Sequence, residues 1–220
     1  MEHWHLQQAF KTVQSSKEIS GSLLFCERPI VLVGMMGAGK STVGRRLAGR
    51  LRRRFADADR VLEDRLGVPI ATIFELEGEA AFRDRESALL AELVADRDQV
   101  LATGGGVVLR DANRALLQER AWVVYLRASA LDLWLRTRRD TSRPLLRSAD
   151  PRARITELLT LRAPLYEAVA HCTVDTGRQP VERVVDQILQ RLADRVDPAP
   201  DPALDPALDP APDRALSQTP

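Results

Sequence analysis

The stretch from Pro29 to Leu47, PIVLVGMMGAGKSTVGRRL, constrains the chain most: a β-branched apolar run enters a glycine-rich turn and leaves it as an amphipathic segment. Within it, GMMGAGKS (Gly34 to Ser41) fits G-x-x-x-x-G-K-[ST] in the strand-to-helix context that the pattern requires. Glycines there let backbone N–H groups turn inward on phosphate oxygens, and the N-terminus of the following helix adds its dipole. Lys40 reaches terminal phosphates and Ser41 can hold Mg²⁺. This reading assigns a nucleotide triphosphate to Gly37, Ala38, Gly39, Lys40, Ser41 and Thr42. The plainer alternative is a glycine-rich turn that only caps a helix. A phosphate cradle serves kinases, switches and motors alike, so the acceptor has to be read elsewhere.

At 220 residues the chain suits one well-cored domain. The formal net charge of +1 calls for neither nucleic acid nor a membrane surface. Cys26 and Cys172 stand in no metal-ligand spacing, which argues for a reducing compartment and makes the cytoplasm the expected location. No apolar run approaches the roughly 18 residues of a membrane helix. Residues 1–27 show no clear period and read as a poorly ordered extension; His3 and His5, without a third ligand, are a weak metal candidate. From residue 196 onward the chain is a DPAL-like repeat too rich in proline to build a core, and is expected to be disordered.

Between these ends, residues 28–195 alternate short apolar runs with longer amphipathic segments. Expected strands are 29–33, 54–57, 99–103, 122–126 and 172–175; expected helices are 40–53, 59–66, 79–95, 111–119, 129–138, 151–169 and 180–194. That alternation predicts an α/β three-layer sandwich with a central parallel sheet of about five strands. Ligands in such folds sit at the carboxyl ends of the strands.

The remaining motifs fall at those ends. FADAD ends the second strand with Asp57 and Asp59, which alternation along a strand would place on one face, a costly pairing unless a cation sits between them. A Mg²⁺ held by Ser41 would be that cation, leaving one aspartate for the metal and one for a substrate hydroxyl. The alternative is an acidic N-cap of the next helix. In GEAAFRDRES (78–87), Phe82, Arg83 and Glu86 share one helix turn, and Arg83 with Glu86 reads by default as a surface ion pair worth a few tenths of a kcal/mol. TGGGVV (103–108) sacrifices strand stability, about 1 kcal/mol per glycine, to bring bare backbone near a ligand, unless it is a plain flexible loop. RRDTSRPLL (138–146) offers Arg138, Arg139 and Arg143 as a lid over anionic phosphates. In RAPLY (162–166), Pro164 should kink a helix and aim Arg162 inward. Taken singly, each arginine is a solvated charge by default.

In order and spacing, GMMGAGKST, FADAD, FRDRE, TGGG, RPLL and RAPLY resemble the shikimate kinase family from about Pro29 to Arg195. The resemblance implies a nucleoside-monophosphate-kinase-like P-loop fold with mobile lid and substrate-binding segments. It also implies ATP- and Mg²⁺-dependent phosphorylation of the 3-hydroxyl of shikimate, in the route to chorismate and the aromatic amino acids. By motif, Asp59 is similar to the aspartate that contacts the ring hydroxyls and accepts the acceptor proton, and Asp57 to the one near the metal. Arg83 and Arg162 resemble the pair that grips the shikimate carboxylate, and the glycine run Gly104, Gly105 and Gly106 offers backbone contacts to the substrate. Arg143 resembles the lid arginine on the ATP phosphates; Arg136 and Arg178 are placed to flank the adenine. One Mg²⁺ and two small-molecule substrates are implied, with a monomer as the expected state. Ala58, between the aspartates, departs from the pattern, where a small hydroxyl residue is usual, and both extensions fall outside it.

Two rivals stay in view. A gluconate kinase would share the cradle and lid but needs no pair of carboxylate-binding arginines. A ligand-sensing module of a transcription regulator would need a DNA-binding unit, for which fewer than 30 residues before the first strand leave no room.

Overall fold

A computed structural model describes residues 28–138 and 150–194. Five parallel strands form one sheet in the order β2-β3-β1-β4-β5, with β1 at Ile30–Val33, β2 at Arg54–Asp57, β3 at Gln99–Ala102, β4 at Trp122–Arg127 and β5 at Cys172–Asp175. Every residue of β1 and β3 is buried, as expected of parallel strands covered on both faces. The register pairs Val31 with Leu101 on one side and with Val123 on the other, so the apolar runs align into one core layer.

Helices cross between the strands: α1 (Lys40–Leu51), α2 (Ala58–Leu66), α3 (Ile70–Leu93), α4 (Asp111–Arg120), α5 (Ala130–Thr137), α6 (Pro151–Val169) and α7 (Val181–Ala193). A 3₁₀ turn covers Val107–Leu109. Side-chain caps set two of the helix starts. Ser129 accepts the Asp132 N–H ahead of α5, and Asp150 accepts the N–H groups of Arg152 and Ala153 ahead of α6, with Pro151 at the first helical position.

The expected strands match within a residue or so, and the fold class is as expected. Two helix expectations need correction. The helix expected over 79–95 does start after Gly78, whose φ of 82° and ψ of 174° are non-helical; the expectation missed the separate helical segment ahead of that kink, from Ile70, which makes up the first part of α3. Pro164 does not break α6: the helix runs unbroken from Pro151 to Val169, with Pro164 itself and the i−4 residue, Thr160, on the exposed side. Water can satisfy the carbonyl that proline leaves without a donor, while Arg162 still points inward and is buried. Among the described residues no helix is long and apolar enough to cross a membrane.

Candidate active site

The turn after β1 is built by left-handed backbone. Gly34, Gly37 and Gly39 have φ of 140°, 79° and 94°, and Gly39 sits directly ahead of α1. At Gly37 the space is as restrictive as the dihedral, since a Cβ there would stand 2.6 Å from the Thr137 methyl of α5. Lys40 folds over this turn, donating to the carbonyls of Gly34 (2.8 Å) and Met35 (2.9 Å). The Ala38 N–H donates to the Met35 carbonyl at 3.1 Å, and Ala38 is itself buried. Arg136 of α5 donates to the carbonyls of Gly37, Thr176 and Gly177, tying the cradle to the loop after β5.

Asp57 occupies the N-cap position of α2 but caps nothing; its carboxylate accepts the Ser41 hydroxyl at 2.5 Å. The acidic-cap alternative therefore holds in position and fails in chemistry. Asp59 lies in the first turn of α2, not on the strand, so strand alternation is the wrong reason for its nearness to Asp57. Both aspartates nonetheless line one cleft, because β2 passes into α2 with no intervening loop. Ser41 and Asp57 present hard oxygen ligands. A Mg²⁺ that binds mainly through phosphates and water needs few protein groups, so this pair fits it.

The cleft, about 690 Å³, is lined by the cradle at one end and by Phe74, Phe82, Arg83, Glu86, the glycine run Gly104–Gly106 and Arg162 at the other. Arg83 and Glu86 are no surface pair: they are 7% and 5% exposed and 2.7 Å apart. Burial works against the Arg83 charge, but the attraction of Glu86 and the hydrogen bonds that Arg83 donates to Glu86 and Glu79 outweigh it and hold the guanidinium above its ordinary range. Burial likewise pushes the Glu86 carboxyl up, only partly countered by Arg83, Arg162 and Arg110. One oxygen of Glu86 takes the Arg83 bond; the other, Oε1, is buried with no hydrogen-bond partner among the described residues. A Cβ on Gly104 would lie 2.5 Å from that oxygen and 2.8 Å from Asp59 Oδ1, so two carboxylates close over the glycine run.

Neighbouring contacts hold the run in place. Thr103 donates to the Leu32 carbonyl at 3.0 Å, buried Asn113 donates to Val107 at 2.9 Å, and Arg162 donates to Gly105 at 3.3 Å. Gly106 packs flat on Arg83, and a Cβ there would stand 2.3 Å from three guanidinium atoms. Because Arg83 is fixed by two glutamates, Gly106→Ala is expected to displace it and raise the KM of the acceptor about tenfold or more, the scale of one charge-assisted hydrogen bond. Steady-state kinetics with each substrate varied in turn would check this; equal changes in both KM values would count against it.

The structure thus gathers Gly37, Gly39, Lys40, Ser41, Thr42, Asp57, Asp59, Arg83, Gly104, Gly105, Gly106, Arg136 and Arg162 around one cleft. Arg178 is exposed and outside its lining. Arg143 lies outside the described residues, as do both chain extensions.

A family model described as shikimate kinase matches residues 36–193, well over half the chain. The chain is 55% identical over 157 residues to the shikimate kinase of Burkholderia pseudomallei, covering 71% of this chain and 85% of that protein. It is 51% identical over 179 residues to the shikimate kinase of Bordetella pertussis, covering 81% and 85%. This chain belongs to the shikimate kinase family. Its fold superimposes on a shikimate kinase from Acinetobacter baumannii in complex with shikimate, with a TM-score of 0.74, 45% identity and coverage of 77% of this chain and 95% of that one.

For a member of the shikimate kinase family, the sequence shows the cradle plainly, whereas Arg83 and Arg162 stand out only through their motifs. Glu86 is passed over, because a carboxylate three residues from an arginine on a helix is ordinarily solvated; only the burial of both groups marks it. Phe74, its ring tilted 39° to that of Phe82 with centroids 4.7 Å apart, helps form the apolar wall of the cleft and lies in the helical segment ahead of Gly78 that the sequence reading missed.

Proposed function

We propose that this member of the shikimate kinase family transfers the γ-phosphate of ATP to the 3-hydroxyl of shikimate, giving shikimate 3-phosphate on the route to chorismate and the aromatic amino acids. One observation carries the reading: buried Arg83 and Arg162 converge on the glycine run in the cleft that Lys40 also lines, Arg83 against Gly106 and Arg162 on the Gly105 carbonyl. Two fixed cations there fit a ring carboxylate through charge-assisted bonds. The Phe74 and Phe82 wall suits the apolar part of the ring, and Asp59 with Glu86 Oε1 offers acceptors for its hydroxyls.

In this reading Asp59 orients the attacking hydroxyl and takes its proton. Lys40, released from the Gly34 and Met35 carbonyls when phosphate enters, follows the charge on the transferring group. Gly37, Ala38, Gly39 and Thr42 supply backbone and hydroxyl donors. Ser41 and Asp57 hold one Mg²⁺, which when bound neutralises phosphate charge. Little covalent chemistry falls to the protein, so the rate comes from placement and electrostatics. Arg143 is assigned to the ATP phosphates, and the adenine to the Arg136 and Arg178 side. The working unit is residues 28–195, acting as a cytoplasmic monomer.

The test is a shikimate-dependent reaction followed by phosphorus NMR of the product. Phosphate on the 3-hydroxyl, formed only when divalent cation is present, is expected. Phosphate on another hydroxyl, or full rate in excess chelator, would overturn the assignment of Asp59 or of Ser41 and Asp57 respectively.

A further inference from the structure

Tyr166 takes no part in the roles above, yet it stands at the joint between the two halves of the cleft. It lies one turn after Arg162 on α6, is fully buried, and stacks on Tyr125 of β4 at a centroid distance of 5.1 Å. Its hydroxyl donates to the Gly105 carbonyl, the same oxygen that receives Arg162, and lies 3.7 Å from Met35 Sδ in the cradle. A Cβ on Gly105 would stand 3.4 Å from the Met36 nitrogen, 3.6 Å from the Gly34 oxygen and 3.7 Å from the Tyr166 hydroxyl. Gly105 is therefore wedged between phosphate-loop backbone and this phenol. Here the nucleotide turn and the glycine run meet through a buried side chain.

We infer that Tyr166 is a positioning residue for the acceptor: its hydroxyl, acting through Gly105, sets the orientation of the glycine run and the reach of Arg162. The geometry works through the peptide plane. A trans peptide turns its C=O and N–H in opposite directions, and the described residues contain no cis bond. Fixing the Gly105 carbonyl on the Tyr166 side therefore fixes the Gly106 N–H on the other. Among the described residues no partner takes the N–H groups of Gly104, Gly105 or Gly106, which leaves them as donors for a ligand. Without the phenol, the Gly105 carbonyl keeps Arg162 as its donor and competes with the substrate carboxylate for that guanidinium. Burial raises the Tyr166 hydroxyl well above the ordinary tyrosine range, so it stays a donor throughout the working pH range.

This inference rests on the assignment of Arg162 and the glycine run to shikimate. Tyr166→Phe keeps the ring stack and removes only the hydroxyl, so the fold should persist. The expected result is a rise in the shikimate KM of about tenfold, the scale of one buried hydrogen bond, with the ATP KM within about twofold of wild type. Calorimetric titration should show the same split between shikimate and ADP. A lower melting temperature with both KM values unchanged would mean a core tyrosine with a satisfied hydroxyl and would overturn the inference, as would equal losses for both substrates. If the wild-type protein itself fails to use shikimate, the acceptor assignment falls and the role of Tyr166 falls with it. Failure in the variant alone leaves that assignment standing.

Discussion

Asp59→Asn is expected to lower kcat by about 10²–10⁴-fold, the range for losing a positioned general base. The substitution keeps the shape and hydrogen-bonding reach of the side chain and removes its capacity to accept a proton. Asp59 sits in the first turn of α2, beside the glycine run, and lines the same cleft as the cradle. ATP affinity should change little, because the cradle is built by other elements. Single-turnover kinetics together with ADP binding would separate the two quantities. Near-normal turnover would remove Asp59 from proton transfer; a matching loss of ADP affinity would place it on the nucleotide side.

Arg83→Ala should produce the second large effect, in two parts that can be told apart. Removing one partner of a buried ion pair leaves the other charge uncompensated, a cost of about 3–5 kcal/mol. Glu86 is 5% exposed and has one oxygen already without a hydrogen-bond partner among the described residues, so losing Arg83 leaves both its oxygens short of donors. The lost contact to the substrate carboxylate should separately raise the shikimate KM by about 10- to 150-fold, the equivalent of a charge-assisted bond of about 1.5–3 kcal/mol. Adding Glu86→Gln removes the stranded charge and should recover much of the melting temperature while leaving the shikimate KM high. Recovery of both by the double variant would mean that Arg83 serves the fold alone.

The parts of this molecule that sequence reveals are those fixed by local physics. β-branched runs bounded by turns place the strands, and the glycine, lysine and serine of the cradle fall between β1 and α1, where phosphate chemistry needs them. FADAD reveals its chemistry and its place at a strand-to-helix junction, but the pairing of the two aspartates comes from that junction and not from alternation along a strand. Gly78 does mark where the expected helix begins; the short helical segment ahead of it, which carries Phe74, goes unread. Arg83 and Glu86 look like a solvated pair until the sheet and the glycine run bury them, and Tyr166 looks like one more core aromatic. In each case the deciding fact is which distant segment lies on top, and no local pattern carries that. Sheet order belongs to the same class, since β1 takes the centre only through its long-range pairing with β3 and β4.

The central claim is that two buried arginines select an acceptor by its carboxylate while the cradle delivers phosphate to its hydroxyl. The most direct measurement is ADP release from ATP and Mg²⁺ with shikimate, shikimate methyl ester, gluconate or no acceptor, run side by side. A strong rate with shikimate is expected, with kcat/KM for the ester lower by about 10²-fold or more, as loss of the charge facing two guanidinium groups requires. Gluconate also carries a carboxylate but lacks the ring that the Phe74 and Phe82 wall suits, and should stay near the no-acceptor background. Equal rates for acid and ester would contradict the arginine clamp, and a faster reaction with gluconate would contradict the choice of acceptor.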